Sequence, residues 1–178
     1  MDTNKKRVKI MGEAKIGGAW SLINGKGKIV TDQDYVGKFI IYYFGFCKCP
    51  DICPASLQKL SSAIEILKKN GKADEVAFLF VSLDPDRDTP ELVERYTKAF
   101  HENIDGLIVP NEMMTSFTKN YKIYAKKMEG ETQDDYNIDH TSYMYIFDKK
   151  GKFMNVLGAN LNFAELAESI EEHMALVN

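Results

Sequence analysis

The chain has 178 residues, 44% hydrophobic and 28% charged, a size and balance that suit one folded domain with one core and exclude a disordered, fibrous or coiled-coil chain. The net charge is −3 and no basic stripe accumulates, which argues against nucleic acid as a partner. No run of about 18 apolar residues occurs, and the start Met1-Asp2-Thr3-Asn4-Lys5-Lys6-Arg7 is too polar for a secretory signal.

Two short apolar runs, Trp20 to Ile23 and Lys28 to Val30, flank Asn24-Gly25-Lys26-Gly27, and the Asn-Gly step predicts a β-hairpin. Thr31 with Asp34 predicts a capped helical turn that Gly37 closes. Phe39 to Phe44 is apolar on both parities, the mark of a central strand buried on both faces. It runs through Cys47-Lys48-Cys49-Pro50-Asp51-Ile52-Cys53-Pro54 into a helix carrying Leu57, Leu60, Ile64 and Leu67 and ending at Asn70-Gly71. Val76 to Leu83 is a second buried strand, and Asp88-Thr89-Pro90-Glu91 opens a helix with Leu92, Tyr96 and Phe100. This β-α-β-α alternation calls for parallel strands.

Gly106 to Val109 is a third strand, followed by a helix from Pro110-Asn111-Glu112 with Met113, Phe117 and Tyr121 inward. Met113, Met114, Met144 and Met154 are dispersed at core-like positions and read as gap fillers rather than metal ligands. Gly130 to Asp139 reads as an acidic loop. Tyr143 to Phe147 alternates as a strand, and Phe153 to Leu157 returns antiparallel after the Asp148-Lys149-Lys150-Gly151 turn. Asn162 and Glu165 cap a last helix whose inward residues read as Phe163, Leu166, Ile170 and Met174.

All three cysteines fall where a strand hands over to a helix, which points to chemistry at one place. If the helix begins within the motif, Cys49 and Cys53 lie about 5 to 6 Å apart on one face, a separation that suits a disulfide and equally suits two thiolates converging on a metal. A helix N-terminus favours the thiolate that both uses require. His140 precedes a strand whose start can lie beside the cysteines. Two thiolates and one imidazole form a soft, low-coordinate set that suits Cu(I) better than Zn(II), although a histidine in such a place is more often a packed or surface residue.

Phe44-Gly45-Phe46, Cys49-Pro50-Asp51-Ile52-Cys53-Pro54, Val81-Ser82-Leu83-Asp84-Pro85-Asp86-Arg87-Asp88-Thr89-Pro90-Glu91 and Asp139-His140-Thr141 together resemble the Sco/SenC family of copper-binding cytochrome c oxidase assembly proteins. The resemblance runs from Gly17-Gly18 to Ser169-Ile170-Glu171-Glu172-His173-Met174. It implies an α/β, thioredoxin-like fold with a central mixed sheet flanked by helices and an N-terminal β-hairpin. It also implies copper, as Cu(I) and possibly Cu(II), bound by Cys49, Cys53 and His140. The implied partners are cytochrome c oxidase subunit II, whose binuclear copper site would receive the metal, and an upstream copper donor chaperone. Residues 14–178 would form the one copper-binding domain. Residues 1–13 would be a tail left after loss of a membrane anchor, the only implied link to a membrane. The implied location is the mitochondrial inner membrane facing the intermembrane space, with the bacterial cell envelope as alternative.

The sequence departs from the family pattern at Cys47-Lys48, where members usually carry a Thr-His or similar pair. Cys47 reads as an idle thiol, as a disulfide partner of a ligand cysteine, or as a fourth ligand that zinc would accept. Asp51 and Asp139 read either as carboxylates tuning the site or as solvated and capping residues. Asp84 and Arg87 read as site rim or as loop scaffold. His101 and His173 read as bland, the latter a partly charged imidazole in a last helical turn. The same cysteines also suit a thiol–disulfide oxidoreductase, in which Cys49 or Cys53 attacks a partner disulfide and the other resolves it. The metallochaperone reading involves no turnover.

Overall fold

The computed structural model describes residues 15–48, 52–123, 126–127, 138–139, 144–158 and 160–177, with backbone alone at 52–53, 126–127 and 138–139. The hairpin forms as the Asn-Gly signal requires. β1 (Ser21–Asn24) pairs antiparallel with β2 (Ile29–Thr31), and Asn24 Oδ1 accepts the Lys26 and Lys28 N–H groups at 3.0 Å each, holding the loop closed. Thr31 N–H then donates to Asp34 Oδ2 at 2.8 Å, starting one 3-10 turn over Asp32–Tyr35.

β3 (Phe39–Gly45) is buried at every residue, as its unbroken apolar run dictates. α1 (Ile52–Lys69), β4 (Val76–Ser82), α2 (Pro90–Phe100), β5 (Ile104–Ile108) and α3 (Asn111–Asn120) follow. The two-residue strands β6 (Lys126–Lys127) and β7 (Ile138–Asp139) pair with each other, so the expected acidic loop ends in a strand; its other residues lie outside those described. β8 (Met144–Phe147), β9 (Phe153–Leu157) and α4 (Phe163–Ala175) complete the chain. The main sheet has the order β2-β1-β5-β4-β3-β8-β9. β3, β4 and β5 are parallel, the geometry that helical crossovers impose, and the outer pairs are antiparallel.

Successive side chains of β3 point to opposite faces and so build two cores. Phe39, Ile41 and Tyr43 pack with Leu57, Leu60, Ile64 and Leu67 of α1 and with α2 and α4. Ile40, Tyr42 and Phe44 pack with Trp20 and with Phe117 and Tyr121 of α3. Met144 and Met154 are core residues, with Met113 and Met114 packed against it, as gap filling requires.

Several expectations need correction. Met144 to Phe147 is buried throughout rather than alternating, because β8 lies between β3 and β9 with both of its faces covered. In α2 the deep residues are Val93 and Thr97, while Leu92, Tyr96 and Phe100 are only half-buried. The cause is Gly106 of β5: a Cβ there would collide with Val93 Cγ1, so the bare backbone lets α2 seat Val93 directly on the strand. Phe163 is 50% exposed, since the first residue of α4 projects before the helix meets the sheet; Leu166, Ala167, Ile170, His173 and Met174 face inward. His173 is buried, not a surface cation. Its Nδ1–H donates to Ser169 O at 2.6 Å, Nε2 accepts from Asn155 Nδ2 at 3.2 Å, and burial lowers its pKa, so the ring is neutral. His101 caps α2 and is structural: Nδ1 accepts the Asn103 N–H at 2.9 Å, leaving Nε2–H to donate to Glu65 Oε1 at 2.6 Å.

Candidate functional site

The cysteine stretch begins where β3 ends. Seven residue pairs in parallel register join β3 to β4 and finish at Gly45 opposite Ser82, and the ladder continues beyond the strands: Leu83 N–H donates to Gly45 O at 2.9 Å and Val109 N–H to Ser82 O at 3.0 Å. The loops leaving β3, β4 and β5 therefore start from one rigid edge, the carboxyl end of the parallel strands, where open α/β sheets collect their ligands.

Cys53 lies in the first turn of α1, as its spacing from Pro54 predicts, and no acidic side chain occupies that turn. The unpaired N–H groups and the dipole of an 18-residue helix favour a thiolate there. Its side-chain placement is outside the described residues, as are all of Cys49, Asp51 and His140. β8 starts with Met144 opposite Tyr43 and runs antiparallel to β3, so the chain enters β8 from the end of the sheet at which the cysteines leave β3. Asp139 sits in β7, in register with Lys126. Among the described residues no group of three histidine, cysteine or acidic side chains could hold a metal.

Cys47 is half-buried and in the thiol form, and Lys48 after it is exposed. The residue that governs this stretch is Asp88, which the sequence shows only as the start of a helix. It is 2% exposed. Its Oδ2 accepts from Ser82 Oγ at 2.5 Å and from the Cys47 N–H at 3.0 Å. Oδ1 is buried with no partner among the described residues. Burial pushes the Asp88 pKa up, hydrogen bonds from Ser82 and Cys47 pull it back, and nearby Asp84 adds to the rise.

Asp84 and Arg87 form the scaffold of the same loop. Arg87 Nε donates to Asp84 Oδ2, Asp84 N–H donates to Ser82 Oγ at 3.2 Å, and the Arg87 guanidinium lies 5.6 Å from the centre of the Phe46 ring. Scaffold and rim are one structure, since Phe46 immediately precedes Cys47.

A family model described as SCO1/SenC matches residues 8–175. The chain belongs to the SCO1/SenC family. It is 40% identical over 169 residues to the protein sco1 of Schizosaccharomyces pombe, covering 94% of this chain and 64% of that protein. It is 34% identical over 170 residues to the human "SCO1 homolog, mitochondrial", covering 96% of this chain and 56% of that protein. The chain thus spans between about half and two thirds of the length of these relatives. The crystal structure of Arabidopsis thaliana ScoI with copper bound matches with a TM-score of 0.82 at 40% identity, over 90% of this chain and 99% of that one. The mixed seven-stranded sheet with its flanking helices is thus the thioredoxin-like α/β architecture of the SCO1/SenC fold.

Proposed function

We propose that this chain is a copper metallochaperone for assembly of cytochrome c oxidase. Cys49, Cys53 and His140 bind one copper ion, taken from an upstream donor chaperone, and release it to the binuclear copper site of oxidase subunit II. The observation that carries the reading is the path of β3, which delivers a cysteine-rich stretch to the N-terminus of α1 with Cys53 in the first helical turn. It is supported by the copper-bound ScoI at 40% identity and by the softness of a two-sulfur, one-imidazole donor set, which suits Cu(I), with Cu(II) as a second state. Transfer needs no turnover: incoming thiolates replace Cys49 and Cys53 one at a time by ligand exchange.

The mitochondrial name of the human relative supports placement at the inner membrane, facing the intermembrane space, with the bacterial cell envelope as the alternative. No helix among the described residues is long and apolar enough to cross a membrane.

A thiol at a helix N-terminus also suits thiol–disulfide exchange, so a reductase acting on the cysteines of the same partner is the second reading. Anaerobic Cu(I) titration against a competing chelator separates the two. The metallochaperone reading expects one Cu(I) per chain and, in His140→Ala, a loss of about a hundredfold or more in affinity with the Cys49–Cys53 disulfide still able to form. Unchanged Cu(I) affinity in that variant, with thiol reductase activity lost, would transfer the function to the second reading.

A further inference from the structure

Asn24-Gly25 and Asn70-Gly71 are the two Asn-Gly steps of the chain. An asparagine before glycine can lose its side-chain amide, because a following residue without a Cβ lets its nitrogen close on the side-chain carbon. The two steps are held in different ways. In the hairpin, Asn24 Oδ1 accepts the Lys26 and Lys28 N–H groups at 3.0 Å each. The Gly25 N–H makes no hydrogen bond among the described residues, and Lys26 and Gly27 beside it are exposed to water. At the end of α1 the Gly71 N–H donates to Lys68 O at 3.1 Å, Asn70 Nδ2 donates to Glu171 Oε1 at 2.8 Å, and Asn70 Oδ1 accepts nothing among the described residues.

The hairpin arrangement carries the parts of an acyl-transfer centre. The Gly25 nitrogen is the nucleophile and Asn24 Cγ the electrophile, and negative charge develops on Oδ1 as the new bond forms. Two main-chain donors already bond that oxygen at the distance an oxyanion needs, and the hairpin fixes them, with the Asn24 N–H donating to Lys28 O at 2.8 Å. We propose that Asn24-Gly25 is a self-modifying site, at which the folded hairpin accelerates conversion of Asn24 to aspartate and isoaspartate. The Gly25 nitrogen bonds to Cγ and gives its proton to water, the Cγ–Nδ2 bond breaks, and the amide takes up a proton and leaves as ammonia. Water then opens the cyclic succinimide at either carbonyl.

Both products bear on the hairpin. Asn24 is in register with Leu107 of β5, and isoaspartate, whose main chain runs through the side chain and is one carbon longer, breaks that pairing. Aspartate adds a charge beside Glu94, which packs so closely over Gly25 that a Cβ there would collide with its carboxylate. The step involves no metal and no cysteine, so it stands or falls separately from the copper reading.

The test follows the whole chain at mildly alkaline pH, folded and in guanidinium chloride, with the amide-to-acid mass gain at each step read by peptide mapping and isoaspartate counted by enzymatic methylation. Asn24 is expected to convert about tenfold or more faster in the folded chain than in the unfolded one, and Asn70 more slowly. Lys26→Pro, which deletes one of the two donors, is expected to slow Asn24 in the folded chain by about tenfold or more and to leave Asn70 unchanged. A folded chain in which Asn24 reacts no faster than in guanidinium chloride overturns the inference, as does a folded Lys26→Pro variant that keeps the full rate. If Lys26→Pro loses the hairpin, the ratio of folded to unfolded rates in the unaltered chain decides.

Discussion

Two buried polar networks lie against the same sheet and are built on opposite plans. On the face covered by α3, Trp20 Nε1–H donates to Tyr42 Oη at 3.1 Å, the Tyr42 and Tyr121 rings lie 5.5 Å apart, and Tyr121 Oη donates to Gly18 O at 2.9 Å. Burial pushes the Tyr121 hydroxyl up to about 12 and that of Tyr42 well above its ordinary value, so the network is uncharged, and it is tied to the main chain at Gly18 O. At the carboxyl ends of the strands, Asp88 brings an ionisable group into the interior and leaves one oxygen without a partner among the described residues. A closed neutral chain fixes a segment to the core at little cost. A buried carboxylate costs more, and its place beside Cys47 makes that cost intelligible as a requirement of the site.

The contrast can be broken most severely at Tyr121. Removing its ring in Tyr121→Ala is expected to cost about 3–5 kcal/mol in urea unfolding, yet to leave Cu(I) affinity of the folded protein unchanged, because this network has no part in the site. Asp88→Ala should behave in the reverse sense, with a smaller stability loss of about 1–3 kcal/mol by the same measurement and a measurable loss of Cu(I) affinity, because the stretch leading to Cys49 loses the acceptor of its Cys47 N–H. Equal effects of the two variants on metal binding would abolish the distinction. Tyr42→Phe, which leaves Trp20 Nε1–H without its acceptor but keeps the ring, is expected to cost about 1 kcal/mol.

The smallest effect is a pH dependence at a third buried polar group. His173 has a folded pKa below its ordinary 6.5, so the unfolded chain binds more protons across that window and stability rises with pH through it. Melting temperature should therefore fall as pH drops from 7.5 toward 5, and His173→Gln should flatten that slope; an unchanged slope would assign the acid sensitivity to other groups.

The fold was legible where local chemistry and burial agree. The doubly apolar run of Phe39 to Phe44 could only be a central strand, and Asn24-Gly25 and the Asn162–Glu165 pair name their turn and cap by hydrogen bonds that the structure contains. It misled where burial depends on distant neighbours. The half-alternating look of residues 143–147 says nothing of β9, and the apparent inward face of α2 misses the recess that Gly106 opens for Val93. For the candidate site, the cysteines announce themselves by clustering, and Cys53 falls in the helical turn that Pro54 marks. Asp88 was opaque because its role comes from Cys47, 41 residues away along the chain, and no pattern in one sequence encodes that pairing.

The missing side chain at Gly106 has a consequence some distance from β5. α2 begins at Pro90, directly after Asp88, and is seated through Val93 against that bare position. A methyl group at 106 would lift the start of the helix, and with it the carboxylate that accepts the Cys47 N–H. The start of the cysteine loop, held through the Cys47 N–H, thus has a remote mechanical control on the far side of β4, at a residue with no polar atom beyond its backbone and no chemistry of its own.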